Sequence, residues 1–310
     1  MTPELRYRWR KAQLRALRWR DGALALLVRG AFAAMRAMGP DRGPRFGGAV
    51  ARKLGPRFKQ HRIALENIRA SFPEHDEAWH QQVALEAWDN LGRTACEYVH
   101  LGAIWDLTEE RRPGGRVEID DATYARFQQV RESGGPVLVF ASHLANWELP
   151  AVAARKHGLD TAVLYRTPNN KAIARLIIGM RRDLMGEMVP AGITAPTKLA
   201  KVLQAGGIVA MLVDQRFSRG PQIEFLGRPT PANPLLANLA RRFDCPVRGV
   251  RAIRLPGGRF RVEVTEPLDL PRDAEGRIDV DGATQAMNDV IAGWVREHPG
   301  QWLWMHRRWR

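Results

Sequence analysis

From residue 116 onward the chain repeats one pattern: a short run of apolar and β-branched residues, a stretch of helical length, then another such run. RVEI at 116–119, VLVFA at 137–141, TAVLY at 161–165, IVAMLV at 208–213, PVRGVRAI at 246–253 and RFRVEVT at 259–265 read as strands. Strands joined through helices need crossover connections, which predicts an α/β fold with a largely parallel sheet flanked by helices. The last two runs, split by Pro256-Gly257-Gly258, predict a hairpin. In open sheets of this kind ligands bind beyond the carboxyl ends of the strands, so chemistry is expected just after VLVFA and IVAMLV.

Ahead of the sheet the periodicity is helical. One helix is predicted before Phe72-Pro73 and a longer one from about Asp76 to about Leu101, with Trp79, Val83, Ala84, Ala87, Trp88 and Leu91 on one face. A turn signal at Arg111-Arg112-Pro113-Gly114-Gly115 closes this all-helical lead-in. The chain of 310 residues therefore divides into a basic segment at 1–60, a helical lead-in at 61–112 and an α/β core at 113–310. With 45% apolar residues it can fill a sizeable core, which excludes a disordered chain. Cys96 and Cys245 stand far apart with no partner at metal-ligand spacing, so neither a disulfide framework nor a structural metal is expected.

The formal charge of +15 is concentrated: residues 1–60 hold fifteen Lys or Arg against three acids. Within them GALALLVRGAFAAMRAMG at 22–39 is apolar but interrupted by Arg29 and Arg36, which are costly at the centre of a bilayer. A helix lying in the membrane interface fits this better than a spanning one, with Trp9, Trp19 and Phe32 as anchors and Arg6, Arg8, Arg10, Lys11, Arg15, Arg18 and Arg20 as a basic flank. A solvated basic helix packed on its own domain is the plainer alternative. Nucleic-acid binding is not expected, because no zinc-finger, helix-turn-helix or aromatic RNA-binding motif accompanies the arginines.

Directly after VLVFA comes Ser142-His143-Leu144-Ala145-Asn146-Trp147-Glu148. On a strand-to-helix turn, Asn146 can cap the new helix and Glu148 can point back at His143. An imidazole oriented by a carboxylate can take a proton from a hydroxyl at neutral pH, which makes His143 a candidate base and Glu148 its orienter. The same two residues would also serve as a loop histidine and a solvated first-turn acid. Ser142 lacks the G-x-S-x-G elbow of a hydrolase nucleophile, and no H-E-x-x-H, EF-hand or Walker A sequence is present. No metal and no cofactor are expected.

Seven separated segments carry a resemblance: HRIALENIRASFPE at 61–74, ASHLANWELP at 141–150, LYRTPNN at 164–170, Arg182-x-x-x-Gly186, LVDQRF at 212–217, EFLGRPTPANP at 224–234 and QWLWMHRRWR at 301–310. In this order they resemble the bacterial lipid A biosynthesis acyltransferases. The resemblance implies a glycerolipid-acyltransferase-like fold, and acyl transfer from an acyl carrier protein thioester to a hydroxyl of a lipid A precursor at the cytoplasmic face of the inner membrane. His143 and Glu148 fall on the family's His-x4-acid pair; Arg166 and Arg182 match family arginines suited to phosphates. Asp214, at the exit of IVAMLV, is expected to join them as a substrate-binding residue. Two departures stand out: Arg216 occupies a position that often carries a second acid, and the N-terminus lacks the family's clear membrane span. The same base would serve a lysophospholipid, aminolipid or glycolipid acceptor. A basic membrane-binding protein without activity is the remaining alternative.

Overall fold

A computed structural model of the chain describes residues 3–108, 114–167 and 170–309, apart from the side chains of some residues before Leu24 and of residues 171–173. The side chains of Arg6, Arg10, Arg15, Arg18 and Arg20, the Arg111–Pro113 part of the expected turn, and Pro168-Asn169 within LYRTPNN lie outside the described residues.

The basic segment and the helical lead-in together comprise α1 (Pro3–Leu54), α2 (Lys59–Ser71), α3 (Glu77–Glu97) and α4 (Leu101–Ile104). The core then alternates β1 (Val117–Glu118), α5 (Asp121–Glu132), β2 (Val137–Ala141), α6 (Leu149–Lys156), β3 (Thr161–Tyr165), α7 (Lys171–Arg182), β4 (Glu187–Pro190), α8 (Ala195–Gln204) and β5 (Ile208–Leu212). A hairpin of β6 (Gln222–Phe225) and β7 (Arg228–Pro231) follows, then α9 (Leu235–Phe243), β8 (Val247–Leu255), β9 (Arg259–Val264) and α10 (Val280–Glu297).

The seven-stranded sheet has the order β1-β9-β8-β2-β5-β3-β4, and only the β8–β9 pairing is antiparallel. The expected strands are all present. β4 and the β6–β7 hairpin are additions, since EMVP is too short and Pro229 and Pro231 too strand-averse to be read as strands.

Side chains alternate across a strand, so the sheet has two distinct faces. Leu138 and Phe140 of β2, Val209 and Met211 of β5, Ala162 of β3 and Val247 of β8 face the main core, against α8, α9 and α10. There the Phe140 and Trp294 rings stack at 5.8 Å. The intervening residues, Val139 and Ala141, Ala210 and Leu212, Val163, and Val250, face the other way and line a cavity roofed by α5 and α6. The sheet therefore has one packed face and one hollow one.

In α1, Gly39 has φ 77°, ψ 170°, which breaks the helix before Pro40 starts it again. The second part crosses α3 at contact distance because both helices carry glycine there. A Cβ at Gly47 would stand 2.7 Å from the Gly92 carbonyl, and one at Gly92 would stand 2.3 Å from that of Gly47. Before the break the helix is open to solvent: Trp19, Leu24, Leu26 and Leu27, with Arg29 and Arg36, are exposed. Among the described residues no helix is long and apolar enough to cross a membrane.

The C-terminal segment closes the core. Trp302, Trp304 and Arg308 are fully buried, and Trp302 meets Trp304 edge to face at 4.7 Å. Trp302 and Trp304 are thus packing residues of the core.

Candidate active site

β2 and β5 are neighbours in register, with Ala141 paired to Leu212. Two residues beyond that pair on each strand stand His143 and Asp214, so the sheet itself brings them level. The Asp214 carboxylate grips the histidine twice: Oδ1 pairs with His143 Nδ1 at 2.7 Å and Oδ2 accepts the His143 backbone N–H at 2.8 Å. Oδ2 also accepts the Trp302 indole N–H at 2.8 Å. Asp214 is wholly buried. Burial alone would raise its pKa, but the adjacent imidazole and its hydrogen bonds hold the carboxyl well below the ordinary range.

A carboxylate on Nδ1 places the ring proton there and leaves a lone pair on Nε2. The Gln215 side-chain amide donates to Nε2 at 3.2 Å, and both residues line the cavity. Trp147 flanks the ring at 5.2 Å between centroids.

The partner of the imidazole therefore differs from the expected one. Glu148 is buried, but its Oε1 accepts from the Tyr98 hydroxyl at 2.5 Å and from the Arg181 guanidinium. The reason is local. Ala145 takes a left-handed φ of 46°, and Asn146 Oδ1 accepts the Glu148 N–H, so the turn carries Glu148 away from the ring and toward Tyr98, just past α3, and Arg181 of α7. The strained turn is pinned from two sides. The Ala145 carbonyl accepts from Asn90 and from the Thr94 hydroxyl at 3.0 Å, and its N–H donates to the Gln301 carbonyl at 2.9 Å. Asn146 Nδ2 donates to Glu97, itself bound by the Arg254 guanidinium.

The Glu148 cluster shifts both of its neighbours upward. Burial, reinforced by the Glu148 charge, pushes the Tyr98 hydroxyl far above its usual pKa, so it stays a donor. Burial works against the charge on Arg181, but the Glu148 charge outweighs it and keeps the guanidinium protonated.

Two expected substrate contacts move. Asp214 lies behind the imidazole with both oxygens occupied and does not reach the cavity. Arg182 is exposed and not among the cavity-lining residues; Arg181, one residue and about 100° earlier around α7, faces inward instead. Arg166 is exposed and lines the mouth, as does Arg216. Tyr98, Arg181, Gln215 and Trp302 were not foreseen. Tyr98 carries no signal in the sequence, whereas Gln215 and Arg181 each adjoin a residue that was singled out.

Below this polar mouth the cavity of about 560 Å³ is walled by the hollow face of the sheet and by Phe127, Trp105, Ala151 and Ala154. It is of a size and apolarity that hold a flexible hydrocarbon. Among the described residues no cluster of His, Cys, Asp or Glu could hold a metal ion. What the arrangement can do is remove a proton from a group held at Nε2, next to an apolar chain lying in the cavity.

The family model described as bacterial lipid A biosynthesis acyltransferase matches residues 10–310, nearly the whole chain. Among curated proteins no match was found.

Proposed function

The chain belongs to the bacterial lipid A biosynthesis acyltransferases, and on that premise we propose that it moves a fatty acyl group from an acyl carrier protein thioester to a hydroxyl of a lipid A precursor. The observation that carries this reading is the His143–Asp214 pair at the mouth of an apolar cavity. His143 Nε2 takes the proton of the acceptor hydroxyl as its oxygen attacks the thioester carbonyl, forming the C–O bond and an oxyanion. The Gln215 amide, displaced from Nε2 by the incoming hydroxyl, turns to that oxyanion. Collapse breaks the C–S bond, and the imidazolium returns its proton to the departing thiolate. Asp214 stabilises the imidazolium, while Glu148, braced by the Tyr98 hydroxyl, holds Arg181 at the mouth.

The acceptor phosphates fall to exposed arginines. Arg166 and Arg216 stand at the mouth, with Arg182 adding charge from the outer face of α7. The open part of α1, with Leu24, Leu26 and Leu27 beside Arg29 and Arg36, lies in the interface of the inner membrane on its cytoplasmic side. There both a lipid acceptor and an acidic carrier protein are within reach.

The test is transfer of a labelled acyl group from its carrier-protein thioester to the tetra-acylated, sugar-bearing lipid A precursor, with lysophosphatidic acid competing. Transfer to the precursor supports the reading. Transfer to the lysolipid alone would move the acceptor to the glycerolipids, and no transfer to either by folded protein would overturn the enzymatic account.

A further inference from the structure

The hollow face of the sheet does not end where the first cavity ends. Along β2 the side chains on that face succeed one another: Ala141 and Val139 line the first cavity, and Val137 lines a second, of about 340 Å³, at the amino-terminal ends of β2 and β8. Two residues border both cavities, Val130 of α5 and Arg248 of β8. Arg248 is paired in register with Val139 and therefore points to the same face.

Arg248 is fixed in place. Its guanidinium donates to the Thr265 carbonyl at 3.0 Å and to Gln129 Oε1 at 2.9 Å, and Glu266 stands at 3.7 Å. Glu266 is in turn held by Arg126, which also donates to the Val264 carbonyl. A strand position facing an apolar cavity would ordinarily carry an apolar residue, and only 6% of Arg248 is exposed. Its stem crosses the hollow and its head is anchored on α5 and on the segment after β9, so it is a bar across the space.

We propose that Arg248, with Val130 opposite, is the stop that sets how long an acyl chain the protein accepts. This rests on the acyltransferase reading above, whose acyl chain lies in the first cavity. Measured along the strand, the Val139 level lies about 13 Å below His143, the reach of about ten bonds in an extended hydrocarbon chain, and the Val137 level about 7 Å deeper. A chain that outgrows the first cavity meets a guanidinium whose hydrogen bonds are already made. It cannot enter the second cavity without breaking them.

The experiment uses Arg248→Met, which keeps an apolar stem and removes the anchored head, and Val130→Ala, which opens the wall from the helix side and leaves Arg248 in place. Each is offered a mixture of saturated acyl-carrier-protein thioesters of about ten to about eighteen carbons, and transferred chains are counted by mass spectrometry. A methylene that a pocket rejects is worth about tenfold or more in discrimination, so the ratio of longer to preferred chains is expected to rise about tenfold in Arg248→Met and less in Val130→Ala. Free fatty acids of the same lengths, displacing a fluorescent fatty acid, give the cut-off without turnover. Unchanged transfer and binding profiles in the folded variants would overturn the stop. If Arg248→Met does not fold, Val130→Ala decides. If wild-type protein transfers nothing yet shows a binding cut-off that the variants lengthen, the stop stands and the function falls.

Discussion

Asp214 meets His143 at two atoms, Nδ1 and the backbone nitrogen, and meets Trp302 at a third. Three donors converge on two carboxylate oxygens in a fully buried place, so the group is suited to its site only as an anion with no proton of its own. An amide at position 214 presents a donor where one acceptor stood, and at least one of the three partners loses its hydrogen bond. Asp214→Asn is therefore expected to fold but to lose about a hundredfold or more in acyl transfer. Steady-state rates beside a circular dichroism spectrum check this; a near-normal rate would remove Asp214 from the mechanism.

Glu148 and Arg181 form a second unit. Breaking a buried pair from either side strands the other charge, so Glu148→Gln and Arg181→Met should each be damaging and the double variant no worse than the poorer single one. The expected coupling is ~1–3 kcal/mol in a double-mutant cycle read on transfer rate. Additive effects would show that the two residues act separately. Tyr98→Phe, which leaves the ion pair intact, should cost far less than either.

His306 supplies a pH test of the fold. Burial holds its imidazole below the ordinary histidine range, only partly offset by the nearby Asp214 charge. Its Nδ1–H donates to the Leu303 carbonyl and its Nε2 has no partner among the described residues. The unfolded chain takes up a proton near pH 6.5 and the folded one does not until lower pH, so stability is present above about 6.5 and lost as pH falls below it. For one proton the slope approaches ~1.4 kcal/mol per pH unit. Urea melts between pH 7 and 5 should show this decline, and a flatter one in His306→Gln.

The glycine crossing of α1 and α3 predicts a steric effect far from the chemistry. Gly92→Ala would place its Cβ 2.3 Å from the Gly47 carbonyl and 2.6 Å from the Ala51 methyl, and neither backbone can yield without parting the helices. A loss of ~1–3 kcal/mol in thermal or urea unfolding is expected. An unchanged melting temperature would mean that the helices do not pack this closely.

Much of this was legible because strong local patterns agreed with the fold. VLVFA and IVAMLV are apolar runs that end in polar residues, and both became adjacent parallel strands with His143 and Asp214 at their exits. Strand adjacency and register are long-range properties, however, and nothing local to either run says that β5 lies beside β2. Hence both acids were singled out, but the carboxylate that meets the His143 ring is that of Asp214 and not that of Glu148. The turn after β2 was expected, but its aim depends on one left-handed residue, Ala145, whose conformation is held by Asn90, Thr94 and Gln301 from distant parts of the chain. Arg182 was separated from Arg181 only by helix phase, which a match of short segments does not resolve.

On the proposed mechanism the Nε2 of His143 is the base for acyl transfer. The most direct measurement is single-turnover transfer from a labelled acyl-carrier-protein thioester to the lipid A precursor by wild-type protein and by His143→Ala, both shown to be folded. A loss of about a hundredfold or more in the transfer step is predicted. Transfer by His143→Ala at the wild-type rate would exclude His143 as the base.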